Sequence, residues 1–290
     1  MFKTKSYSGI EIFHRLAEAL KPAWGGEAEA LSRYILKEVL NFDFTDIVAK
    51  TSIELDSNKL RQLDEILHRL SRMEPIQYIL GFAYFLNRKF VVTRDVLIPR
   101  PETEELVLLV LEKTTFDNPK ILDVGVGSGC IGISLALETG VNAFTGLDRD
   151  QSIIDIAGSN AKAQGVNMNA LRVNLLNEPI PDTGFDIIVC NPPYVLPSEK
   201  THMRKNVLDF EPGKALFVPE DDPLIFYHRI TEQAARILNP GGMLFYEINE
   251  QFGIEVNHLL EEWEFTGVEI KKDIHGKERF AFGWLKGHHS

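Results

Sequence analysis

One segment constrains the fold of this chain more than any other: an apolar strand, Ile121-Leu122-Asp123-Val124, running into Gly125-Val126-Gly127-Ser128-Gly129 and then into an apolar helix from Cys130. Glycines at this spacing let the backbone turn sharply and approach a ligand closely, beside a helix N-terminus. The dinucleotide fingerprint GxGxxG needs glycine at position 130; Cys130 stands there, so the pattern is GxGxG. Beyond Lys120 short apolar runs alternate with helical ones, the signature of βαβ units and a parallel sheet. The strand candidates are residues 121–124, 143–147, 171–173, 185–190 and 243–248, and two later runs, 267–271 and 279–285, read as a terminal antiparallel pair. The fold class is therefore α/β, a doubly wound, Rossmann-like sheet.

A different pattern precedes it. From Ser8 to Arg72 apolar residues recur at helical spacing (Ile12, Leu16, Leu20; Leu31, Ile35, Val39; Leu60, Leu63, Leu67, Leu70), predicting three helices separated by breaks at 21–26 and 41–57. Asp56 or Ser57 can cap the third. Residues 74–96 change character, with Phe82, Tyr84, Phe85, Phe90, Val91 and Val92 around Asn87 and Arg88 reading as a β-hairpin. The expected organisation is a small all-α domain over 1–73, a hairpin linker over 74–96 and the α/β domain over 97–287. Pro101 suits the first turn of a helix whose positive end Glu102, Glu104 and Glu105 favour. The polar stretch 197–223 exceeds an ordinary βα loop and is expected to be a functional insertion or lid.

Two further features carry chemistry. Asp148 ends the second strand of the α/β region, 23 residues beyond Gly125, where an acid can accept hydrogen bonds from both ribose hydroxyls of a nucleoside. Alternatively it caps the helix that follows. The run Phe185 to Cys190 ends in Asn191-Pro192-Pro193-Tyr194. Consecutive prolines fix two φ angles and remove two donors, leaving carbonyls free to accept. Asn191 adds a side-chain acceptor and Tyr194 a flat ring, so the loop suits a planar NH2 group. In a doubly wound sheet, ligands bind at the carboxyl ends of strands flanking the switch point, which places both loops at one site.

Composition narrows the partners. With 42 acidic and 31 basic side chains in 290 residues, the net charge of −11 disfavours a nucleic-acid substrate, and direct nucleic-acid binding is not expected. Cys130 and Cys190 lack metal or CxxC spacing and read as reduced, packed residues of a cytoplasmic protein. Cys190 adjoins Asn191, but a reactive thiolate needs a cationic or helix-terminal setting that a buried strand end does not supply. The eight histidines show no metal spacing, and no metal is expected. No apolar leader or membrane-length segment is visible, so no membrane partner is expected.

At this point the chain resembles the HemK/PrmC family of S-adenosylmethionine-dependent glutamine methyltransferases of peptide-chain release factors. The resemblance rests on EPIQYILG (74–81), LIPRPETEELV (97–107), ILDVGVGSGCIGISLAL, NPPY (191–194), DFEPGKAL (209–216) and LNPGGMLFYEI. NPPY alone is shared with adenine-N6 methyltransferases; between PRPET and FEP it is far more specific. The resemblance implies a seven-stranded class I methyltransferase domain with Gly125, Val126, Gly127, Ser128, Gly129, Asp148, Asn174, Leu175 and Asn191 holding S-adenosylmethionine, the product being S-adenosylhomocysteine. It implies that Asn191, Pro192, Pro193 and Tyr194 hold a substrate glutamine amide, with Asn191, Pro192 and Tyr194 catalytic. Release factors, through the glutamine of a GGQ tripeptide, are the expected protein substrate; a ribosomal protein glutamine or a nucleic-acid adenine is the alternative.

Two departures stand out. Many members carry an aspartate before a bulky residue where this chain has Asn174-Leu175, so adenine meets an uncharged acceptor and an apolar cover. Val126 and Ser128 replace threonines, which leaves backbone contacts intact. Glu102 and Thr103 read as helix-capping residues, although the resemblance lets them border the substrate pocket. The amino-terminal helices are expected to recognise the protein substrate rather than do chemistry.

Overall fold

The computed structural model describes residues 2–43, 45–46 and 52–287. The chain forms two compact units, Met1–Leu80 with Arg204–Phe210, and Gly81–Met203 with Glu211–Ser290.

In the first unit α1 (Gly9–Trp24), α2 (Ala28–Leu40), α3 (Ser57–Ser71) and α4 (Ile76–Leu80) bury Ile12, Leu16, Leu20, Ile35, Leu36, Leu63 and Leu70 against one another. Asp56 caps α3, accepting from the Asn58 and Lys59 amides at 2.8 and 2.9 Å. The expected break at 21–26 is corrected: α1 continues through Pro22 to Trp24. A proline in the last turn forfeits a single i→i−4 donor, and the helix ends where Gly25 takes a φ of 52°. A two-stranded ribbon accompanies the helices, β1 (Lys5–Ser8) antiparallel to β2 (Ser52–Leu55). Part of the predicted break at 41–57 lies outside the described residues, as do the closing His288 to Ser290. Arg69 grips the buried Glu74 carboxylate with two bonds of 2.8 Å.

The second unit opens with the hairpin read from sequence, β3 (Phe82–Phe85) and β4 (Arg88–Val91), closed by Leu86 and Asn87 at positive φ. Two such residues make the mirror-image turn that matches strand twist. Seven strands follow: β5 (Ile121–Val124), β6 (Ala143–Asp148), β7 (Asn167–Arg172), β8 (Phe185–Cys190), β9 (Leu238–Glu247), β10 (Phe265–Lys272) and β11 (Glu278–Leu285). They assemble in the order β10-β11-β9-β8-β5-β6-β7, parallel except at β11, which runs antiparallel to both of its neighbours. Helices α5 (Pro101–Lys113), α6 (Cys130–Thr139), α7 (Gln151–Ala163), α9 (Ile225–Ile237) and α10 (Gly253–Glu262) complete the fold, with the short α8 (Lys205–Phe210) belonging to the first unit.

Two strand starts differ from expectation by four residues or more. β7 starts at Asn167 rather than Leu171, because an edge strand needs only one hydrogen-bonded neighbour and its polar NMNALR sequence shows no apolar run. β9 starts at Leu238 rather than Met243, pairing Phe185 with Leu238 across an irregularity. The adjacency of β5 and β8, expected from the switch-point argument, is observed. The stretch 197–223, expected to be a functional insertion or lid, is shared between the two units. Its middle, Arg204–Phe210, clusters with the first unit, while the remainder packs with the second. Among the described residues no helix is long and apolar enough to cross a membrane.

Asp123 on β5 is 1% exposed; its Oδ2 accepts from the Gly132 amide at 2.8 Å and its Oδ1 has no partner. Burial pushes its carboxyl up to about 7. A carboxyl that binds its proton more tightly in the folded than in the unfolded protein favours folding at low pH, and that stability is lost as pH rises from about 4 to about 7. Asp123→Asn keeps an acceptor for Gly132 without the charge. The variant is expected to gain about 1–3 kcal/mol over the parent at pH 8 and almost nothing at pH 4, by urea titration at both values. A gap independent of pH would contradict this account.

Candidate active site

Register decides where the loops meet. Val124 lies level with Leu147 on one side and Cys190 on the other, Asp148 with Arg172, and Cys190 with Tyr246. The segments that follow β5, β6, β7 and β8 therefore leave the sheet along one edge, where they line a single cleft. Its walls include Gly125, Val126, Gly127, Ser128, Asp148, Asn174, Leu175, Asn191, Pro192 and Pro193. Of the residues singled out from sequence, Gly129 and Tyr194 do not line it.

The glycine loop is built for approach. The Gly125 and Val126 amides both donate to Leu147 O at 2.9 Å, which folds the loop over the end of β6. Gly125 has a φ of 75° and a Cβ there would meet nothing within 4 Å, so its surface is open to a ligand. Gly129, with a φ of 82°, is more enclosed: a Cβ would lie 2.8 Å from Ile133 Cδ1 and 3.4 Å from the Ala157 Cβ. The left-handed φ is what requires glycine there, with Ala157 of α7 in van der Waals contact behind it. Asn160 of α7 secures the loop from below, donating to Ser128 O at 2.8 Å.

Asp148 is half-buried at the end of β6, and burial raises its carboxyl above the usual carboxylate value against opposing amides of Asp150, Arg149 and Gly127. The capping alternative is corrected: the residue preceding α7 is Asp150, and the Asp148 Oδ1 accepts from the Asp150 amide at 3.2 Å. Lys214 forms an ion pair with Asp150, both residues lining the cleft. Asn174 and Leu175 follow β7; Leu175 is 8% exposed and joins the core. Apolar walls come also from Ile131, just after the glycine loop, and from Ile153, Leu176, Phe226 and Ile230, which sequence reading missed because each of these four belongs to a helix or loop with no motif of its own.

At the other end, the NPPY loop is pinned. Tyr194 and Val195 amides donate to Leu216 O at 3.2 and 2.9 Å, and Asn249 Nδ2 donates to Tyr194 O at 3.1 Å. Beneath it lies a buried polar chain. Asn191 Nδ2 donates to Thr103 Oγ1 at 3.1 Å, Thr103 Oγ1 donates to Glu247 Oε2 at 2.7 Å, and the Tyr194 hydroxyl donates to Glu247 Oε1 at 2.9 Å. Glu247 is 1% exposed. Burial raises its carboxyl, opposed by the two hydroxyl donors and by Arg279. Of the two roles open to Thr103 the capping one is corrected, since Arg100 occupies the cap position of α5; Thr103 borders the cleft instead, with its hydroxyl pointing to Glu247. Glu247 lies within the YEI run that carried the resemblance, but nothing in its spacing announced a contact 144 residues away.

Arg100 also pairs with the buried Glu211 at 2.6 Å, joining the PRPET turn to the FEP segment. The thiols take no part. Both cysteines are buried and unbridged, and burial pushes Cys130 up to about 12 and Cys190 well above its ordinary value. The Cys190 thiol donates to Val124 O, a contact within the sheet. Among the described residues no cluster of metal-ligating side chains occurs.

Residues 102–209 match the methyltransferase small domain model and residues 11–81 the PrmC N-terminal domain model. The chain is 43% identical over 254 residues to the release factor glutamine methyltransferase of Bacteroides thetaiotaomicron, covering 87% of this chain and 91% of that one. With the protein of the same name from Bacillus cereus it shares 35% identity over 285 residues, covering 94% of this chain and all of the relative. Among solved structures, the Thermus thermophilus 16S rRNA N2 G1207 methyltransferase, in complex with AdoMet and guanosine, superposes with a TM-score of 0.50 at 20% identity, over 71% of this chain and 50% of that one. That likeness is one of fold.

Proposed function

The chain belongs to the release factor glutamine methyltransferase family, and on that premise we propose that it transfers a methyl group from S-adenosylmethionine to the side-chain amide nitrogen of a release-factor glutamine, the one in the GGQ tripeptide. The observation that carries this reading is the shared edge of the sheet, where an open glycine cradle and an acidic strand end lie in one cleft with the acceptor-rich NPPY loop. The cradle fits the cofactor: Gly125 leaves space where a side chain would stand, and Asp148, only half-buried, presents its carboxylate in the same cleft. Gly125 to Gly129 would hold its amino-acid part, Asp148 its ribose hydroxyls, and Asn174 and Leu175 its adenine.

When bound, the cofactor supplies an electrophilic methyl on a sulfonium. An amide nitrogen is a poor nucleophile because its lone pair is delocalised into the carbonyl, so the residues must work by placement. Asn191 Oδ1 and the Pro192 carbonyl accept the two amide hydrogens and turn the lone pair toward the methyl. Orientation of this kind is worth up to ~7–11 kcal/mol. As nitrogen gains positive charge the same acceptors bind it more strongly, which stabilises the transition state in preference to the ground state. Water takes the surplus proton, since an N-protonated amide is strongly acidic. The net charge of −11 disfavours the nucleic-acid alternative. Incubation with methyl-labelled cofactor and, separately, a release factor, ribosomal proteins and DNA tests the reading; label in the release factor is expected, and label confined to DNA would overturn it.

A further inference from the structure

Resting on the proposed glutamine-amide substrate, we infer that Thr103 and Glu247 are positioning residues that set which atom of the Asn191 carboxamide faces the substrate. The argument is one of hydrogen-bond polarity. The two hydroxyls on Glu247 favour its ionised form, which only accepts, and a threonine hydroxyl has one hydrogen. Glu247 Oε2 lies 2.7 Å from Thr103 Oγ1 and takes that hydrogen, so Thr103 can only accept from Asn191 at 3.1 Å. Asn191 must therefore turn its NH2 toward Thr103. Its Oδ1, which no donor among the described residues occupies, is left as the amide atom available to the cleft. A flipped carboxamide would present NH2 to a substrate NH2, two donors facing each other. The relay also explains why an acid is buried at position 247: both of its oxygens are taken, one by Thr103 and one by the Tyr194 hydroxyl at 2.9 Å, so a single carboxylate fixes both side chains of the NPPY loop.

The polarity has a sharp consequence. Glu247→Gln keeps size and shape but offers a donor at one of its two positions; if that NH2 meets Thr103, the threonine hydrogen is free to reverse toward Asn191 and the carboxamide flips. Thr103→Val removes the relay without changing volume, whereas Thr103→Ser retains the hydroxyl. Expected turnover on a release factor falls by about 10-fold or more in Thr103→Val and Glu247→Gln, on the scale of a misplaced reacting group. Thr103→Ser is expected to stay within about 3-fold. Equal turnover in the valine and serine variants would overturn the relay.

A second readout needs neither substrate nor cofactor. In the parent protein the Asn191 side-chain NH2, assigned by nitrogen-15 NMR, is expected to exchange with solvent more slowly than an exposed asparagine, and to lose that protection in Thr103→Val. Exchange as fast as an exposed asparagine in the parent would overturn the inference even if a variant failed to fold. A parent protein that methylates no release factor while its Asn191 NH2 is protected would instead count against the proposed substrate and leave the relay standing.

Discussion

Asn191→Ala is expected to lower turnover on a release factor by about 100-fold or more while leaving the protein folded, the scale seen when one preorganised hydrogen-bond partner of a developing charge is removed. Three features of the structure set that size. The side chain lies at the cleft edge of β8, beside Pro192 and Pro193, whose nitrogens have no hydrogen to donate. Its orientation is held by Thr103, so the alanine variant loses a preset acceptor rather than a mobile one. The loop backbone itself is tied to Leu216 and Asn249 by bonds that do not involve the Asn191 side chain, so the fold has no reason to fail. Removing Asn191 also leaves Thr103 without its donor, a cost of about 1 kcal/mol to stability. Steady-state rates and the unfolding midpoint, measured on the same preparation, check both halves. Near-parent turnover in a folded variant would remove Asn191 from the chemistry.

Asp148→Ala is expected to weaken S-adenosylmethionine binding by about 30-fold or more, from the loss of two hydrogen bonds to a charged acceptor at roughly 1.5–3 kcal/mol each, offset in part by water. The free protein should respond in the opposite sense. Burial raises the Asp148 carboxyl, which means its ionised form costs the unliganded fold stability at neutral pH. The alanine variant is therefore expected to melt no lower than the parent without cofactor, and to gain much less from added cofactor. Calorimetric titration and thermal melts with and without the cofactor separate these terms. An unchanged dissociation constant would take the ribose role from Asp148.

Much of the α/β architecture was legible because its signals are local. The strands at 121–124 and 185–190 are apolar apart from Asp123 and Asp186 and run directly into Gly125 and into Asn191-Pro192, so their limits could be read directly. β7 could not, since an edge strand of Asn, Met and Arg has no pattern to show. The same contrast divides the site. Gly125 to Gly129, Asp148 and the NPPY loop declare themselves by residue type at fixed spacing from a strand end. Glu247, Thr103, Phe226 and Ile230 do not, for their roles come from the sheet order that brings β9 beside β8 and lays α5 within reach of Glu247. Thr103 illustrates the limit best: next to Pro101 it looks like a capping residue, and only the tertiary contact shows that its hydroxyl serves a carboxylate on another strand.

The central claim, methylation of one amide nitrogen in one tripeptide, is tested most directly by peptide mass spectrometry of a purified release factor after incubation with this protein and S-adenosylmethionine. A single added methyl on the glutamine of the GGQ peptide, absent with Asn191→Ala, is the result expected; an unmodified GGQ peptide, with the cofactor bound and a methyl appearing instead on a ribosomal protein or on adenine, would contradict it.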